Sequence, residues 1–164
     1  MPRAAPADAA PPASPPSPDA PTGTTAAQIT MPQGLPGFPG VTRFALGPLS
    51  GDEGGAAARF FRLRAEEPGG PAFVVVPADT GAAGALLDTA ALAEARGTAG
   101  LDAADEVAVL FVVTTAREPG EGGGGLRLFA NRRAPILVDT RRRLGFQVVL
   151  ARPDYPVREP LLAA

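Results

Sequence analysis

The sequence contains no cysteine, no histidine and no tryptophan, and all 15 of its basic residues are arginine. Without cysteine there is no disulfide framework and no thiolate nucleophile, and without histidine there is no imidazole to act as a general base near neutral pH. Zinc and copper sites are practically excluded for the same reason. The three serines, Ser14, Ser17 and Ser50, have no histidine to activate them, so the composition argues against an enzyme.

Long apolar stretches are also missing. The longest, residues 107–113, is far shorter than the roughly 20 residues that a membrane-spanning helix needs. The N-terminus has a single arginine close to Met1 and no apolar core of a secretory signal, so we expect a cytoplasmic protein. No stretch has the alternating ligands of a calcium loop, and the carboxylates at positions 79, 88, 102, 105 and 106 have the pattern of surface charge. We expect neither a metal nor a cofactor.

The chain divides into a tail and one domain. Residues 1–24 consist largely of Ala and Pro, which supply too little apolar surface to offset the entropy of an ordered chain. We therefore expect residues 1–24 to be a disordered tail and residues 25–164 to form a single domain, of a length typical for one.

Short β-branched or alternating runs predict strands over most of the domain. They lie at residues 58–65, 73–76, 107–115, 126–130, 135–140 and 146–151. Residues 141–145 join the last two strands as a hairpin, and we expect Ile136 and Val138 to share a face with Phe146, Val148 and Leu150. One short helix is predicted over residues 86–96, with Gly97 as its stop. Antiparallel strands with short connections predict a mainly β fold, a small barrel-like domain that is closed or half closed.

The stretch from Met31 to Gly40 is rich in Gly and Pro at regular spacing. Three prolines (Pro32, Pro36 and Pro39) and three glycines (Gly34, Gly37 and Gly40) exclude a helix and predict consecutive tight turns. Such turns leave Leu35 and Phe38 as the apolar side chains that fold back onto a core. A rigid turn segment of this kind serves the fold, and it also presents a surface of low conformational entropy to a partner.

Three blocks of sequence, in this order, resemble the flagellar assembly factor (FliW) family. They are the turn stretch Met-Pro-Gln-Gly-Leu-Pro-Gly-Phe at residues 31–38, the pair Phe-Phe-Arg-Leu at 60–63 with Ala-Phe-Val-Val-Val-Pro at 72–77, and Ala-Asn-Arg-Arg-Ala-Pro-Ile at 130–136 with Gln-Val-Val-Leu at 147–150. Tyr155 and the sequence Arg-Glu-Pro-Leu at 158–161 close the resemblance, which covers residues 28–162. Among its departures, Arg62 replaces a usual Gln and Glu159 a usual His. The Gly- and Ile-bearing strand that usually precedes the turns is not recognisable, which leaves a missing sheet edge as an open question.

The resemblance implies a β-rich, barrel-like, non-enzymatic protein. Members of the family bind flagellin and also bind CsrA, an RNA-binding translational repressor, so that free flagellin leaves the repressor active and exported flagellin lets the factor capture it. A monomer that exchanges these two partners is the function it implies here. The motif residues expected to serve partner binding or the fold are Gln33, Gly34, Pro36, Gly37, Phe38, Asn131, Pro135 and Tyr155. Asn131 is also suited to satisfying backbone groups at a strand corner.

The charge of the chain is unevenly distributed, and this supports an alternative function. Residues 1–122 hold 7 Arg and 14 acidic residues, whereas residues 123–164 hold 8 Arg and 3 acidic residues. The arginines at positions 132, 133, 141, 142 and 143 are numerous enough to follow a nucleic-acid backbone. The nearby aromatics, Phe129, Phe146 and Tyr155, have a spacing that favours core packing over base stacking. A small RNA-binding β-barrel is therefore the alternative hypothesis.

Overall fold

The computed structural model describes residues 26–49, 59–78, 86–117 and 125–161. The predicted tail at residues 1–24 and most of the glycine-rich stretch around residue 122 lie outside these ranges. Along the chain the described elements are β1 (Ala27–Thr30), β2 (Arg43–Pro48), β3 (Phe61–Ala65), β4 (Ala72–Pro77), α1 (Thr89–Ala99), β5 (Val107–Arg117), β6 (Leu126–Ala130), β7 (Ile136–Asp139), β8 (Leu144–Gln147) and β9 (Glu159–Pro160). No helix within the described ranges is long and apolar enough to cross a membrane.

Seven of the strands close into a barrel. Their order is β4-β3-β2-β1-β8-β7-β5, and β5 returns to pair with β4, so that the sheet meets itself. All of these pairings are antiparallel except β1–β8, which is parallel and rests on a single residue pair, Thr30 with Leu144. The remaining strands, β6 and β9, extend the sheet outward from β5. The predicted mainly β, barrel-like fold with one short helix is confirmed.

The interior of the barrel is an apolar core. Alternate residues of the strands point inward, because successive side chains of a strand face opposite sides of the sheet. Its buried members are Ile29, Met31, Leu35, Phe44, Leu63, Ala65, Val75, Leu110, Ile136 and Val138. The predicted alternation in β3 is confirmed, since Leu63 is fully buried while Arg62 and Arg64 are exposed, although the strand begins at Phe61 and not at residue 58.

The hairpin of β7 and β8 buries both of its faces. Ile136 and Val138 point into the barrel, whereas Leu137 points outward and packs with Val148, Leu150 and the helix. Register explains the arrangement, because Leu137 pairs with Phe146 while Val138 pairs with Gly145. The expectation that Phe146, Val148 and Leu150 share a face with Ile136 and Val138 is therefore wrong.

Helix α1 covers that outer face. Asp88 caps its N-terminus by accepting a hydrogen bond from the Ala91 N–H at 2.7 Å, and Ala91 and Ala95 are its fully buried residues. The helix ends at Gly100, whose φ of 69° is the left-handed conformation typical of a helix C-terminus. Gly97 lies inside the helix, so the predicted end at that residue is wrong.

A strand does precede the turn segment. β1 pairs with β2 along its whole length and meets β8 at Thr30, whose N–H donates to the Arg143 carbonyl at 2.9 Å. Ile29 is its buried residue. The sheet edge that the sequence left in question is thus occupied by β1, which the sequence analysis did not assign.

Strand β5 is longer than the strands beside it. Val107 to Leu110 pair with β7 and Val113 to Arg117 pair with β6, both on one side of the strand. On the other side, the ladder with β4 ends at the pair Val74 with Val113. Among the described strands, residues 114–117 therefore pair with β6 alone, and we refer to residues 114–117 together with β6 as the β5–β6 ribbon.

Candidate functional site

The turn segment, residues 31–41, consists of three consecutive β-turns. In each of them the N–H of the fourth residue donates to the carbonyl of the first: Gly34 to Met31 at 2.9 Å, Phe38 to Leu35 at 2.7 Å, and Val41 to Phe38 at 3.1 Å. A proline takes the second position of every turn, where its fixed φ is suited to the geometry. The Met31 N–H bonds the Thr42 carbonyl at 2.7 Å and closes the base of the segment. The tight turns predicted from the Gly and Pro spacing are present.

Two glycines make this path possible for different reasons. Gly37 has a φ of 89°, which is the conformation that the third position of a type II turn requires after Pro36. Gly34 has a φ of 66°, and a Cβ added there would lie 2.4 Å from the Phe38 carbonyl oxygen. At Gly34 the chain packs against itself, so both the dihedral angle and the lack of a side chain are needed.

The turn segment anchors one face and exposes the other. Leu35 is buried in the barrel core, as predicted, and Gly34 is buried with it. Phe38 does not fold onto the core as we expected, because 39% of its surface is exposed and its ring meets Phe73 edge-on with the centroids 5.8 Å apart. The turn geometry directs this side chain outward. Gln33, Pro36, Gly37 and Phe38 together form an exposed, conformationally fixed surface.

The corner after β6 is held by Asn131. Its side-chain oxygen accepts a hydrogen bond from the Ala134 N–H at 3.2 Å, and its own N–H donates to the Val112 carbonyl at 2.9 Å. Pro135, which follows, is fully buried, and its carbonyl accepts from the Val148 N–H at 2.9 Å. The backbone-satisfying role that the sequence suggested for Asn131 is what the geometry shows, and Pro135 offers no exposed surface.

Tyr155 connects the C-terminal segment to the helix. It is 2% exposed, and its hydroxyl donates to Asp88 Oδ2 at 2.8 Å while accepting from the Asp88 N–H at 3.2 Å. The guanidinium carbons of Arg132 and Arg152 lie 4.3 Å and 5.7 Å from the centre of its ring. Arg133 Nε donates to the Tyr155 carbonyl at 2.9 Å. Asn131, Pro135 and Tyr155 thus belong to one structural cluster, separate from the exposed surface of the turn segment.

The surroundings of two carboxylates, Asp88 and Asp139, lower their pKa below the ordinary value. The Ala91 N–H, followed by the Tyr155 hydroxyl, lowers the pKa of Asp88 by stabilising its charged form. The Arg142 N–H, at 2.8 Å, is the largest cause that lowers the pKa of Asp139, and the Arg141 N–H and the Arg142 guanidinium add to it. Asp88 caps α1 and Asp139 holds the turn between β7 and β8, both as ionised groups at neutral pH, and neither has the raised pKa of a general acid. Within the described ranges, no three His, Cys, Asp or Glu side chains gather as metal ligands.

The five arginines of the RNA alternative do not form one free surface. Arg132 donates to the Leu86 carbonyl and to Glu159, Arg133 to two carbonyls of the C-terminal segment, and Arg142 to Asp105 and Asp139. Guanidinium groups that are held by internal partners are less available to phosphates. Phe129, Phe146 and Tyr155 are covered by arginine or packed in the core and offer no stacking platform. The arrangement therefore does not favour nucleic-acid binding.

A groove beside the β5–β6 ribbon was not foreseen from the sequence. It has a volume of about 360 Å³ and is lined by Val112, Thr114, Thr115, Ala116, Asn131, Val157 and Arg158. Val157 is 57% exposed, and the Arg158 guanidinium carbon lies 4.4 Å from the centre of the Phe129 ring. The excess length of the apolar run at residues 107–115 over that at 73–76 was the sequence signal that β5 outlasts β4.

The fold and this surface can be compared with known proteins. A family model described as FliW protein matches residues 20–161. The chain belongs to the FliW family. The flagellar assembly factor FliW of Exiguobacterium sp. (strain ATCC BAA-1283 / AT1b) is 34% identical over 139 residues, which cover 83% of this chain and 84% of that protein.

A solved structure supports the fold of this FliW family member independently. The crystal structure of the flagellar assembly factor FliW superposes with a TM-score of 0.55 at 22% identity, over 84% of this chain and 86% of that one. At this identity the likeness concerns the fold alone. The resemblance to the FliW family drawn from the three sequence blocks is confirmed.

Proposed function

We propose that this protein binds flagellin as a chaperone-like partner and also binds the translational regulator CsrA, antagonising the repression of flagellin translation. The observation that carries the proposal is the match of the FliW family model to residues 20–161. The protein works as a monomer in the cytoplasm and catalyses no reaction. Free flagellin occupies it while export is blocked, and export of flagellin leaves it open to CsrA.

The exposed part of the turn segment supports a role in holding a protein. Phe38 places an aromatic ring at the surface on a backbone that three hydrogen-bonded turns keep fixed. An aromatic side chain on a rigid support loses little entropy when a partner covers it, which is a property of binding hot spots. Of the eight motif residues, we assign partner contact to Gln33, Pro36, Gly37 and Phe38. Gly34, Asn131, Pro135 and Tyr155 support the fold.

The exchange of partners is a thermodynamic linkage. If flagellin and CsrA bind with a coupling free energy that disfavours the ternary complex, each lowers the affinity of the protein for the other by the same factor. The concentration of unexported flagellin then determines what fraction of this protein is free to bind CsrA.

Calorimetric titration with flagellin and CsrA purified from the same cell tests the proposal. We expect both to bind, and we expect saturation with flagellin to weaken CsrA binding. Phe38→Ala should weaken the binding of at least one partner by about thirtyfold or more, since the truncation of an aromatic hot spot costs about 2 kcal/mol or more. Val149→Ala is the matched control, because Val149 is another exposed apolar side chain, 63% exposed, and lies outside both the turn segment and the β5–β6 ribbon.

Two outcomes contradict the proposal at different levels. Failure of both proteins to bind the unaltered chain would leave membership of the family without the proposed partners. Binding that Phe38→Ala and Val149→Ala leave equally strong would retain the partners and reject the turn segment as their contact surface.

A further inference from the structure

The β5–β6 ribbon has an open side within the described part of the chain. On that side the ladder with β4 stops at Val113, and residues 114–117 are paired only with β6. Thr114, Thr115 and Arg117 are exposed. An unpaired strand edge of this kind is a template for another strand, and residues 114–117 contain no proline and one charged residue, Arg117.

The direction of the backbone groups follows from two hydrogen bonds. The Val109 carbonyl accepts from the Ala78 N–H at 2.9 Å, on the β4 side, and the Val112 carbonyl accepts from the Asn131 N–H at 2.9 Å, on the β6 side. Residues of an antiparallel strand direct their N–H and C=O to alternate sides. Thr115 has the parity of Val109, so its N–H and C=O point to the open edge and not into the ladder with β6.

Side-chain sites flank this edge on both sides. The groove described above lies over β5, where Val112, Thr114 and Ala116 form one face. On the other side, Phe73 follows Ala72 at the start of β4, next to the last residue that pairs with β5, and it carries the exposed ring of Phe38 against it. A strand added at Thr115 would therefore have an apolar groove and an aromatic ring within reach of alternate side chains.

Among the described residues, two arginines lie at this edge and in the groove beside it. Arg117 ends β5 and Arg158 lines the groove, and neither has an ion-pair partner among the described residues. By contrast, Arg132 is neutralised by Glu159 at 3.3 Å. Two unpaired guanidinium groups beside an apolar groove complement carboxylates that flank apolar side chains.

We propose that the open edge of β5, at residues 114–117, binds an extended, carboxylate-bearing segment of a protein partner as an added β-strand. Backbone hydrogen bonds at Thr115 supply the affinity, and an apolar side chain of the segment fills the groove beside Val157. Arg117 and Arg158 select acidic residues at its ends. The inference rests on the proposed function, because it states how a proposed partner, flagellin or CsrA, is bound.

Comparing Thr115→Pro with Thr115→Ala distinguishes pairing through the backbone of β5 from contact through the Thr115 side chain. Thr115→Pro removes the N–H that points to the open edge and leaves the ladder with β6 intact, since proline is tolerated where a strand N–H faces outward. Thr115→Ala shortens the same side chain but keeps the N–H, so it is the matched control. In titrations with flagellin and with CsrA, we expect Thr115→Pro to weaken the binding of one of them by at least about tenfold and Thr115→Ala by less than about twofold.

The contribution of the arginines to partner binding is tested by a second pair of variants. Arg158→Gln should weaken the same partner by about three- to tenfold and reduce the salt dependence of its binding. Arg141→Gln, which alters an exposed arginine on the β7–β8 hairpin, should leave both unchanged.

Hydrogen exchange on the unaltered protein tests the edge without any mutation. Bound partner should slow the exchange of the Thr115 N–H by at least about tenfold, because the amide then donates to the added strand. Equal binding by Thr115→Pro and Thr115→Ala, or an unprotected Thr115 amide in the complex, would overturn the edge and leave the proposed function standing. If neither protein binds the unaltered chain, the proposed function itself fails, and the edge inference fails with it.

Discussion

Gly34 and Gly37 lie in one motif, but a side chain is excluded at each of them for a different reason. Both have a positive φ, but an added Cβ at Gly37 meets nothing within 4 Å, whereas one at Gly34 meets the Phe38 carbonyl oxygen at 2.4 Å. Gly37→Ala should therefore cost about 1 kcal/mol of unfolding free energy for the left-handed backbone alone. Gly34→Ala should cost about 2 to 4 kcal/mol, since the backbone must also move. Urea unfolding of the two variants measures the difference, and equal costs would contradict the close approach at Gly34.

Asp139 gives the protein a defined response to acid. Its carboxylate is buried at the base of the β7–β8 hairpin, where two backbone N–H groups and the Arg142 guanidinium bind it. These contacts lower its pKa in the folded state, so their stabilisation is present above the pKa of the unfolded chain and is lost as pH falls through the lower folded value.

We therefore expect Asp139→Asn to be less stable than the unaltered protein at neutral pH, and the gap to narrow as pH falls below about 4. Urea midpoints at a series of pH values measure this gap. Asp102→Asn removes an exposed carboxylate and serves as the control, with no comparable gap at neutral pH. A gap between Asp139→Asn and the unaltered protein that is independent of pH would show that the ionised form is not what holds the hairpin.

For the secondary-structure elements, the sequence predicted whether a segment is a helix or a strand better than it predicted where the segment ends. The strand over residues 126–130 matches β6, and the predicted helix is present, but it ends three residues later than Arg96 because Gly100, and not Gly97, takes the left-handed conformation. A glycine inside a helix and one at its end look alike in the sequence. Which of them stops the helix depends on the contacts beyond it, such as the Leu101 N–H donating to the Arg96 carbonyl at 2.9 Å.

The faces of the β7–β8 hairpin were predicted wrongly, because an apolar pattern shows that residues are buried but not on which side of the sheet they are buried. All four residues of β7 are buried, so no polar position marks one face as solvent-facing. The sequence shows an apolar run but cannot show that Leu137 and Ile136 belong to separate cores, because the helix that covers Leu137 comes from residues 89–99. Tyr155 was singled out as a motif residue, yet its partner Asp88 lies 67 residues away and was not predicted.

Tyr155 joins the helix N-terminus to the C-terminal segment, and its two parts can be tested separately. Tyr155→Phe keeps the buried ring between Arg132 and Arg152 and removes the hydroxyl that bonds Asp88, so we expect a loss of about 1 kcal/mol in unfolding free energy. Tyr155→Ala also removes the ring and should cost about 3 to 5 kcal/mol. Thermal and urea unfolding measure both, and similar losses for the two variants would show that the ring contributes little.

At the scale of the whole molecule, closure of the barrel depends on the strand pairing that has the fewest residue pairs. Most neighbouring strands share four or five residue pairs, but β1 and β8 share one, Thr30 with Leu144. Neither strand could be paired from the sequence, since β1 is only four residues long and its partner in the closure lies more than 110 positions away. The barrel-like architecture was predictable from the number of strands and their short connections, whereas closure required knowledge of which distant strands approach.

Gly145 permits this approach. A Cβ added there would lie 3.0 Å from both Ile29 Cγ2 and Met31 Cε, so the absence of a side chain in β8 is what lets β1 and the start of the turn segment pack against it. Met31 and Ile29 belong to the barrel core, so crowding at Gly145 is transmitted to the closure itself. Gly47 offers a matched control in β2, because its added Cβ would make only an ordinary contact, 3.5 Å from the Ala26 Cβ.

Gly145→Ala should therefore destabilise the protein by about 1 to 3 kcal/mol through overpacking, and Gly47→Ala should change the free energy of unfolding by less than about 1 kcal/mol. If closure is what suffers, the Thr30 N–H, which donates to the Arg143 carbonyl, should exchange its hydrogen faster in Gly145→Ala than in Gly47→Ala. A destabilised Gly145→Ala whose Thr30 amide keeps its protection would place the strain in the core and not in the closure. Because the turn segment begins at Met31, the first result would also tie the rigidity of the proposed contact surface to the closing of the barrel.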